Sequence, residues 1–391
     1  MRPRESSFKL RGRPMQIAFI SPGRPAFSNY ETGDVLGIET QIWGIARELA
    51  ARGHDVEIVR RSSRPDFRHD SNGVTIEDLR TPDLPWEALE MYAFSRICAN
   101  HVQKVPNMIA ILSERLTSVA FRRLQNPKVF ALHLSDGLLR ETPEDSIRGL
   151  VTRCPKRLVE RIAVRASDVV VTLTGTAKAA LARQGFDSVV IPNAVDPADL
   201  LPGPSSGFFL FGGRLVRSKG VSVLLRAAKL IARRHPEVRV VISGSGPEES
   251  QLKALTKGLG LATAVQFQPF ANRRRYLRLL GTCGAFVLPS VQEAFPVALI
   301  EAMGSGKPVI AADVPGPREI IADGHDGFVV RPWDVDGLAN AMELLIRNPD
   351  LGQMLGEHGR AKVMATYTFS KVGAVYERLC GNLVTHQPLL E

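Results

Sequence analysis

Short apolar runs alternate with amphipathic stretches along most of the chain, and that alternation predicts its elements. In the first half, Met15–Ser21, Asp55–Val59, Lys128–Leu132, Asp168–Thr172 and Val189–Ile191 read as buried strands. Glu39–Arg52 and the stretch around Pro155–Ala166 carry their apolar residues at helical spacing. The segment Asp196–Gly207 breaks the rhythm with prolines, glycines and serines, and reads as an interdomain linker over 196–207. Beyond it the alternation resumes. Strands are predicted at Phe208–Phe211, Val238–Ser243, Val265–Gln268, Gly284–Leu288 and Pro308–Ala312. Helices are predicted at Val221–His235, Glu248–Gly258, near Arg273–Gly281, at Val335–Arg347 and at Ser370–Asn382. Alternating strands and helices imply parallel sheets covered on both faces. The expected architecture is α/β: two doubly wound Rossmann-like domains, 15–195 and 208–367, facing a central cleft, with a closing segment 368–391.

At 391 residues the chain is too long for one ordinary core, which agrees with two domains. Its 44% hydrophobic and 23% charged residues are those of a globular protein, and no apolar run reaches the length of a membrane span. Residues 1–14 are basic and polar, with no apolar core of a signal peptide, and read as a disordered tail. Cys98, Cys154, Cys283 and Cys380 are scattered without metal-ligand spacing, as ordinary thiols of a reducing cytoplasm are. The expected setting is therefore soluble and cytoplasmic. A net charge of +10 calls for a polyanionic partner, such as nucleic acid, anionic lipid or a sugar-nucleotide phosphate. Nucleic acid is disfavoured, because aromatic residues make up only 6% of the chain and stacking platforms need them.

The richest chemistry lies in Pro289-Ser290-Val-Gln-Glu293-Ala294-Phe295-Pro296-Val-Ala-Leu-Ile-Glu301-Ala-Met-Gly304. Glu293 falls in the loop at the carboxyl end of a strand. Pro296 suits the first position of a helix, Glu301 sits just over a turn into it, and Gly304 and Gly306 end it. Ligands of open α/β sheets bind at that edge, and a helix start favours phosphate. The two carboxylates are placed to grip hydroxyls on either side of a diphosphate, although the same spacing also arises by chance. Gly212-Gly213-Arg214-Leu-Val-Arg-Ser-Lys219-Gly220 joins the first strand of the second half to its helix. It brings close backbone and two cations to the strand end, as a departing diphosphate requires.

Other candidates keep two readings. Gly244-Ser-Gly246-Pro247-Glu248 lines a nucleotide pocket or is a simple turn. Gly37 lets a loop approach a phosphate or acceptor, or serves a helix entry. His133 follows the strand Lys128–Leu132 and either binds a sugar hydroxyl and assists proton transfer or is structural. Asp334-Val-Asp336 resembles an acidic metal pair, but a helix cap with an acidic first turn explains it better, so no metal is assigned. Lys156, Arg157, Arg161 and Arg165 share a helix with Leu158, Val159, Ile162 and Val164, with Arg115, Arg122 and Arg123 as a second basic cluster. This face is solvated or makes peripheral contact with an anionic membrane, at the inner face of the plasma membrane.

Taken in order, Gly37-Ile-Glu39, Arg52-Gly-His-Asp-Val56, His133, Ala166-Ser-Asp168, Ile191-Pro-Asn193-Ala-Val-Asp196, Gly213-Arg214 through Lys219-Gly220, Gly244-Ser-Gly246-Pro247 and the Glu293/Glu301 segment resemble the retaining family 4 glycosyltransferases of the Glu-x7-Glu type. The resemblance spans Met15 to about Leu379 and implies the GT-B fold. It implies that Arg214 and Lys219 hold the donor diphosphate and that Glu301 binds ribose hydroxyls. Glu293 with the backbone of Ala294, Phe295 and Pro296 would hold the donor sugar, and His133 would be the active-site histidine. The final helix would cross back to the first domain. The expected reaction is transfer from a nucleotide-diphosphate sugar to a glycan or lipid-linked acceptor in polysaccharide biosynthesis, with no cofactor and, given the helix-cap reading of Asp334-Val-Asp336, no metal. Retention can use a carboxylate nucleophile, for which Glu293 is the obvious group, or front-face attack; the sugar-positioning role that the resemblance gives Glu293 favours front-face transfer. The chain departs from the family pattern at Leu36, where a second glycine is common, at Ala194 and Ala294, and before Leu112-Ser113, where a histidine is often found. A hydrolysing sugar-nucleotide epimerase and a non-catalytic sugar-nucleotide or polyanion binder are the competing readings.

Overall fold

The computed structural model describes residues 13–21, 37–62, 66–84, 86–132, 157–204, 206–269 and 272–387. His133, Cys154, Lys156, Leu36 and residues 1–12 lie outside them. The strands of the first sheet are β1 Gln16–Ser21, β2 Asp55–Ser62, β3 Phe67–Ser71, β4 Val74–Arg80, β5 Ile109–Leu112, β6 Lys128–Leu132, β7 Val169–Thr172 and β8 Val189–Val190. Those of the second are β9 Phe208–Gly212, β10 Arg239–Ser243, β11 Val265–Gln268, β12 Ala285–Leu288, β13 Val309–Ala312 and β14 Phe328–Val330.

The first sheet has the order β3-β4-β2-β1-β5-β6-β7-β8, parallel except for the hairpin β3-β4. The second, β11-β10-β9-β12-β13-β14, is parallel throughout. Strands β1, β5, β6, β7, β12 and β13 are almost wholly buried, as continuous apolar runs in doubly covered parallel sheets must be. In each sheet the winding reverses beside the first strand, between β1 and β5 and between β9 and β12. Crevices open at such reversal points.

Several predicted elements move at their ends. The helix expected to reach His235 stops at Ala232, and Pro296 stands just before the helix Val297–Gly304 instead of opening it, with an extended ψ of 112°. The hairpin β3-β4 is absent from the apolar-run reading because Phe67–Ser71 is largely polar. Its turn is Asn72-Gly73, both at positive φ, a hairpin dipeptide. The stretch 196–207 is anchored at three points: Asp196 caps the 3-10 turn Pro197–Asp199, Leu200 enters the second core, and Lys307 Nζ donates to the Gly203 carbonyl at 2.7 Å, while Leu201, Pro202 and Pro204 are exposed.

The chain crosses between the sheets twice, at Val195 and at Thr368, and the two crossings pair with each other. Val195 N–H donates to the Tyr367 carbonyl, and Phe369 N–H to that of Val195. The last helix, Phe369–Thr385, then buries Phe369, Val372, Tyr376, Leu379 and Cys380 in the core of the first sheet. It lies against the helix Ile38–Ala51 at glycine contacts. A Cβ on Gly44 would sit 2.1 Å from the Phe369 ring, and one on Gly373 2.4 Å from Glu48.

Candidate active site

The residues expected on the donor side meet at the β9/β12 reversal point. After β9 the chain runs through Gly213 and the exposed Arg214 to a 3-10 turn, Arg217–Lys219, and Gly220 then opens the helix Val221–Ala232. Gly220 has φ +66°, and a Cβ there would lie 2.1 Å from the Pro289 carbonyl oxygen at the end of β12. Only glycine satisfies both the left-handed backbone and that approach. Val291 N–H donates to the Ser218 carbonyl at 2.8 Å, stitching the two loops together. Lys219 Nζ then meets Glu293 Oε1 at 2.6 Å. The basic loop and the acidic loop thus form one site, with the Glu293 side chain only 9% exposed.

Gly244 and Gly246 belong to the neighbouring loop after β10. Their missing side chains let it stack on the Gly213–Leu215 backbone: a Cβ would lie 1.9 Å from the Gly213 oxygen at one and 2.3 Å from that of Leu215 at the other. Gly213 and Leu215 donate in turn to the carbonyls of Ser243 and Ser245. These glycines support the cation loop through close packing. The helix-cap reading of Asp334 also holds, since its Oδ1 accepts the Gly337 N–H at 2.8 Å.

Glu301 lies in the helix Val297–Gly304 and is buried. Its Oε1 accepts from Arg273 at 2.6 Å, and Arg273 also reaches Asp199 at 3.2 Å. Burial pushes the Glu301 carboxyl above its ordinary range, against the pull of the Arg273 guanidinium. Arg273 and Asp199 were not singled out in the sequence. A signal was present: Arg273, Tyr276, Leu277 and Leu280 share one helix face at spacings of three and four, so the arginine belongs to the buried side.

The loop between the two glutamates is held from two further sides. A Cβ on Gly316 would lie 2.6 Å from the Ala294 oxygen. Asn193, at the first crossing, donates its Nδ2 to the Phe295 carbonyl at 2.9 Å. The residues flanking Asn193 are committed as well. Gln41 exchanges two hydrogen bonds with the Ala194 backbone, and Arg47 pairs with Asp196.

On the other side, Gly37 precedes the helix Ile38–Ala51 with φ +65°, and no described residue lies within 4 Å of a Cβ at that position. A cavity of about 160 Å³ opens beside it at the carboxyl ends of β5 and β6, lined by Ser113, Glu114, Arg115, Leu132 and Glu160 among others. Burial raises the Glu114 carboxyl from its ordinary range, while the N–H groups of Leu116 and Thr117 oppose the shift. On the basic helix, described over 157–165, Arg161 and Arg165 reach over the Phe186 ring at 6.0 and 5.8 Å, and Leu158 is 61% exposed. No helix among the described residues is long and apolar enough to cross a membrane.

This geometry agrees with the relatives of the chain. The "Glycosyltransferase Family 4" profile matches residues 35–199, and "Glycosyl transferases group 1" matches 196–362. A D-inositol 3-phosphate glycosyltransferase of Stackebrandtia nassauensis is 29% identical over 384 residues, covering 85% of this chain and 84% of that one. Among solved structures, sucrose-phosphate synthase of Thermosynechococcus elongatus superposes with a TM-score of 0.81 at 21% identity, over 95% of this chain and all of that one (100%). Anabaena HepE, solved with UDP and glucose, does so at 0.73 and 18%, over 93% and 98%. With two Rossmann-like sheets, a family 4 region and a group 1 region in that order, the chain is a glycosyltransferase of the GT-B fold.

Proposed function

We propose that the enzyme moves a sugar from a nucleotide-diphosphate sugar to a glycan or lipid-linked acceptor with retention of configuration, using no metal ion or resident cofactor. The observation that carries this reading is the Lys219–Glu293 pair, which joins the two loops flanking the β9/β12 crevice. Arg214 and Lys219 hold the diphosphate and stabilise the charge that builds on it as it leaves. Glu293, with the backbone of Ala294, Phe295 and Pro296, holds the sugar, and Glu301 takes ribose hydroxyls. The bond from the anomeric carbon to phosphate breaks as the bond to the acceptor oxygen forms on the same face. The acceptor proton passes to the departing phosphate oxygen. His133, the residue that follows Leu132 in the sequence, and Gly37 are assigned to the acceptor side.

A donor panel scored for nucleoside-diphosphate release, with and without acceptors, tests this reading. Polyol phosphates belong among the acceptors, because a relative is named for D-inositol 3-phosphate. Acceptor-dependent release in the presence of EDTA, with the anomeric configuration of the donor kept in the product by NMR, is expected. Release without any acceptor, with an epimerised sugar, favours a hydrolysing epimerase; binding without turnover favours a non-catalytic binder. For the acceptor surface, we place the exposed Arg157, Arg161 and Arg165 in peripheral contact with an anionic cytoplasmic leaflet. Flotation with anionic liposomes that is lost at high salt is expected, and no flotation at low salt rejects the contact.

A further inference from the structure

We propose that Glu319 is a positioning residue for transfer, a clasp that closes the first domain onto the element supporting the donor loop. The inference rests on the glycosyl-transfer reading above. Glu319 lies in the short helix Pro315–Ile320 after β13 and is exposed. Its two carboxylate oxygens accept from two successive backbone amides of the first domain, Gly175 N–H at 2.7 Å and Thr176 N–H at 2.8 Å. These amides open the helix Gly175–Ala182, which follows β7. The next amide, Ala177 N–H, is taken by the Thr174 side chain. A carboxylate at a helix start gains from the dipole and from charge-assisted hydrogen bonds.

The same short helix carries the donor loop. Gly316, three residues before Glu319, lies under the loop so closely that a Cβ would sit 2.6 Å from the Ala294 oxygen and 3.1 Å from that of Glu293. A two-ended contact follows. One end of the helix holds the backbone of the sugar-binding loop, and the other is held by the first domain only while the domains are together. Asn193, on the crossing between the domains, fixes the far side of the loop through the Phe295 carbonyl. The Glu319 clasp itself lies at the surface and breaks without exposing an apolar side chain, while Leu173, two residues before Gly175, packs into the core of the second sheet beside it. That is the property of a contact made and broken in each cycle. The two bonds from backbone amides to the Glu319 carboxylate, at 2.7 and 2.8 Å, then commit the donor loop to its transfer geometry when the acceptor side closes.

Glu319→Ala removes the clasp and leaves the diphosphate clamp intact. Glu319→Gln keeps the shape without the charge. Gly175→Pro deletes one donor from the other domain, at a first helical position suited to proline and after a Thr174 whose backbone is already extended. Expected for Glu319→Ala is a fall of about tenfold in kcat, with nucleoside-diphosphate affinity within about twofold of wild type. Glu319→Gln should fall between, and Gly175→Pro should reproduce the kcat loss from the opposite side. Small-angle scattering of the nucleoside-diphosphate complex should show a larger radius of gyration for Glu319→Ala. Wild-type kcat and one common scattering profile in both Glu319→Ala and Gly175→Pro, with wild type active, would overturn the clasp. A lowered melting temperature with unchanged kcat would also overturn it, as purely structural. If wild type itself turns over no donor while scattering still separates the variants, the transfer reading falls and takes the positioning role with it.

Discussion

The two crevices of this molecule have the same topology and opposite surroundings. At the donor side, between β9 and β12, glycines mark places where one backbone rests on another: Gly220 on Pro289, Gly244 on Gly213, Gly246 on Leu215 and Gly316 on Ala294. In the crevice between β1 and β5, Gly37 opens the helix after β1 with a positive φ similar to that of Gly220, yet no described residue lies within 4 Å of a Cβ at its position. The loops flanking the β9/β12 crevice are thus held by their own backbone contacts. A nucleotide diphosphate presents the same charged geometry in every turnover, and a pre-built clamp avoids the cost of ordering loops around it. The described part of the other crevice has a cavity lined by charged and apolar side chains alike, Glu114, Arg115 and Glu160 beside Ile38, Phe130 and Leu132, and open space around its glycine, which suits the proposed acceptor side.

Breaking a buried partner on the donor side should have the largest effect. Arg273→Ala leaves Glu301 buried without its cation, and breaking such a pair costs about 3–5 kcal/mol. Chemical denaturation should show that loss. A change within about 0.5 kcal/mol, the range of ordinary surface substitutions, contradicts the buried pairing.

The glycine contrast sharpens next. Gly220→Ala combines a left-handed backbone with a collision against the Pro289 carbonyl, so donor binding should be lost along with roughly 2–3 kcal/mol of stability. Gly37→Ala meets no described neighbour and carries the backbone penalty, about 1–3 kcal/mol, and should leave nucleoside-diphosphate affinity unchanged. Calorimetry on the two variants decides the point, and equal donor affinities would remove the contrast.

The smallest effect belongs to a polar cluster in the first domain, on β2, β4 and the helix Glu87–Gln103. Its side chains, Glu57, Glu77 and His101, lie close enough to share an ion, but His101 Nε2 already meets Glu57 Oε1 at 2.8 Å as an ion pair. The hydrogen bond to Glu57 raises the imidazole above its ordinary value of 6.5, with the Glu57 and Glu77 charges adding to it and burial opposing. Because the folded value is the higher one, this stabilisation is fully present below about pH 6.5 and is lost as pH rises through the raised value. Melting curves of wild type and His101→Gln should therefore converge at alkaline pH and separate below 6.5; a pH-independent gap contradicts the pairing.

The sequence patterns served best where neighbours in the chain determine structure. Val265–Gln268 and Val335–Arg347 have their expected bounds, because an apolar run and a helical periodicity are local facts. Lys219 and Glu293 were legible as chemistry at two strand ends, and the fold brought the ends together. Asn193 and Glu319 were not assigned roles, since their partners lie more than a hundred residues away and are backbone groups, which have no residue type to recognise. Arg273 stood among three consecutive arginines, and only the helix face that it shares with Tyr276, Leu277 and Leu280 sets it apart.

The central claim is that the β9/β12 crevice is a nucleoside-diphosphate clamp. Calorimetric titration of a nucleoside diphosphate into wild type, Arg214→Ala and the double variant Lys219→Ala/Glu293→Gln tests it most directly. The double variant removes the cation without stranding its carboxylate partner. Saturable 1:1 binding by wild type is predicted, weakened at least about tenfold in each variant with the melting temperature preserved. Equal affinity in all three proteins would contradict the account.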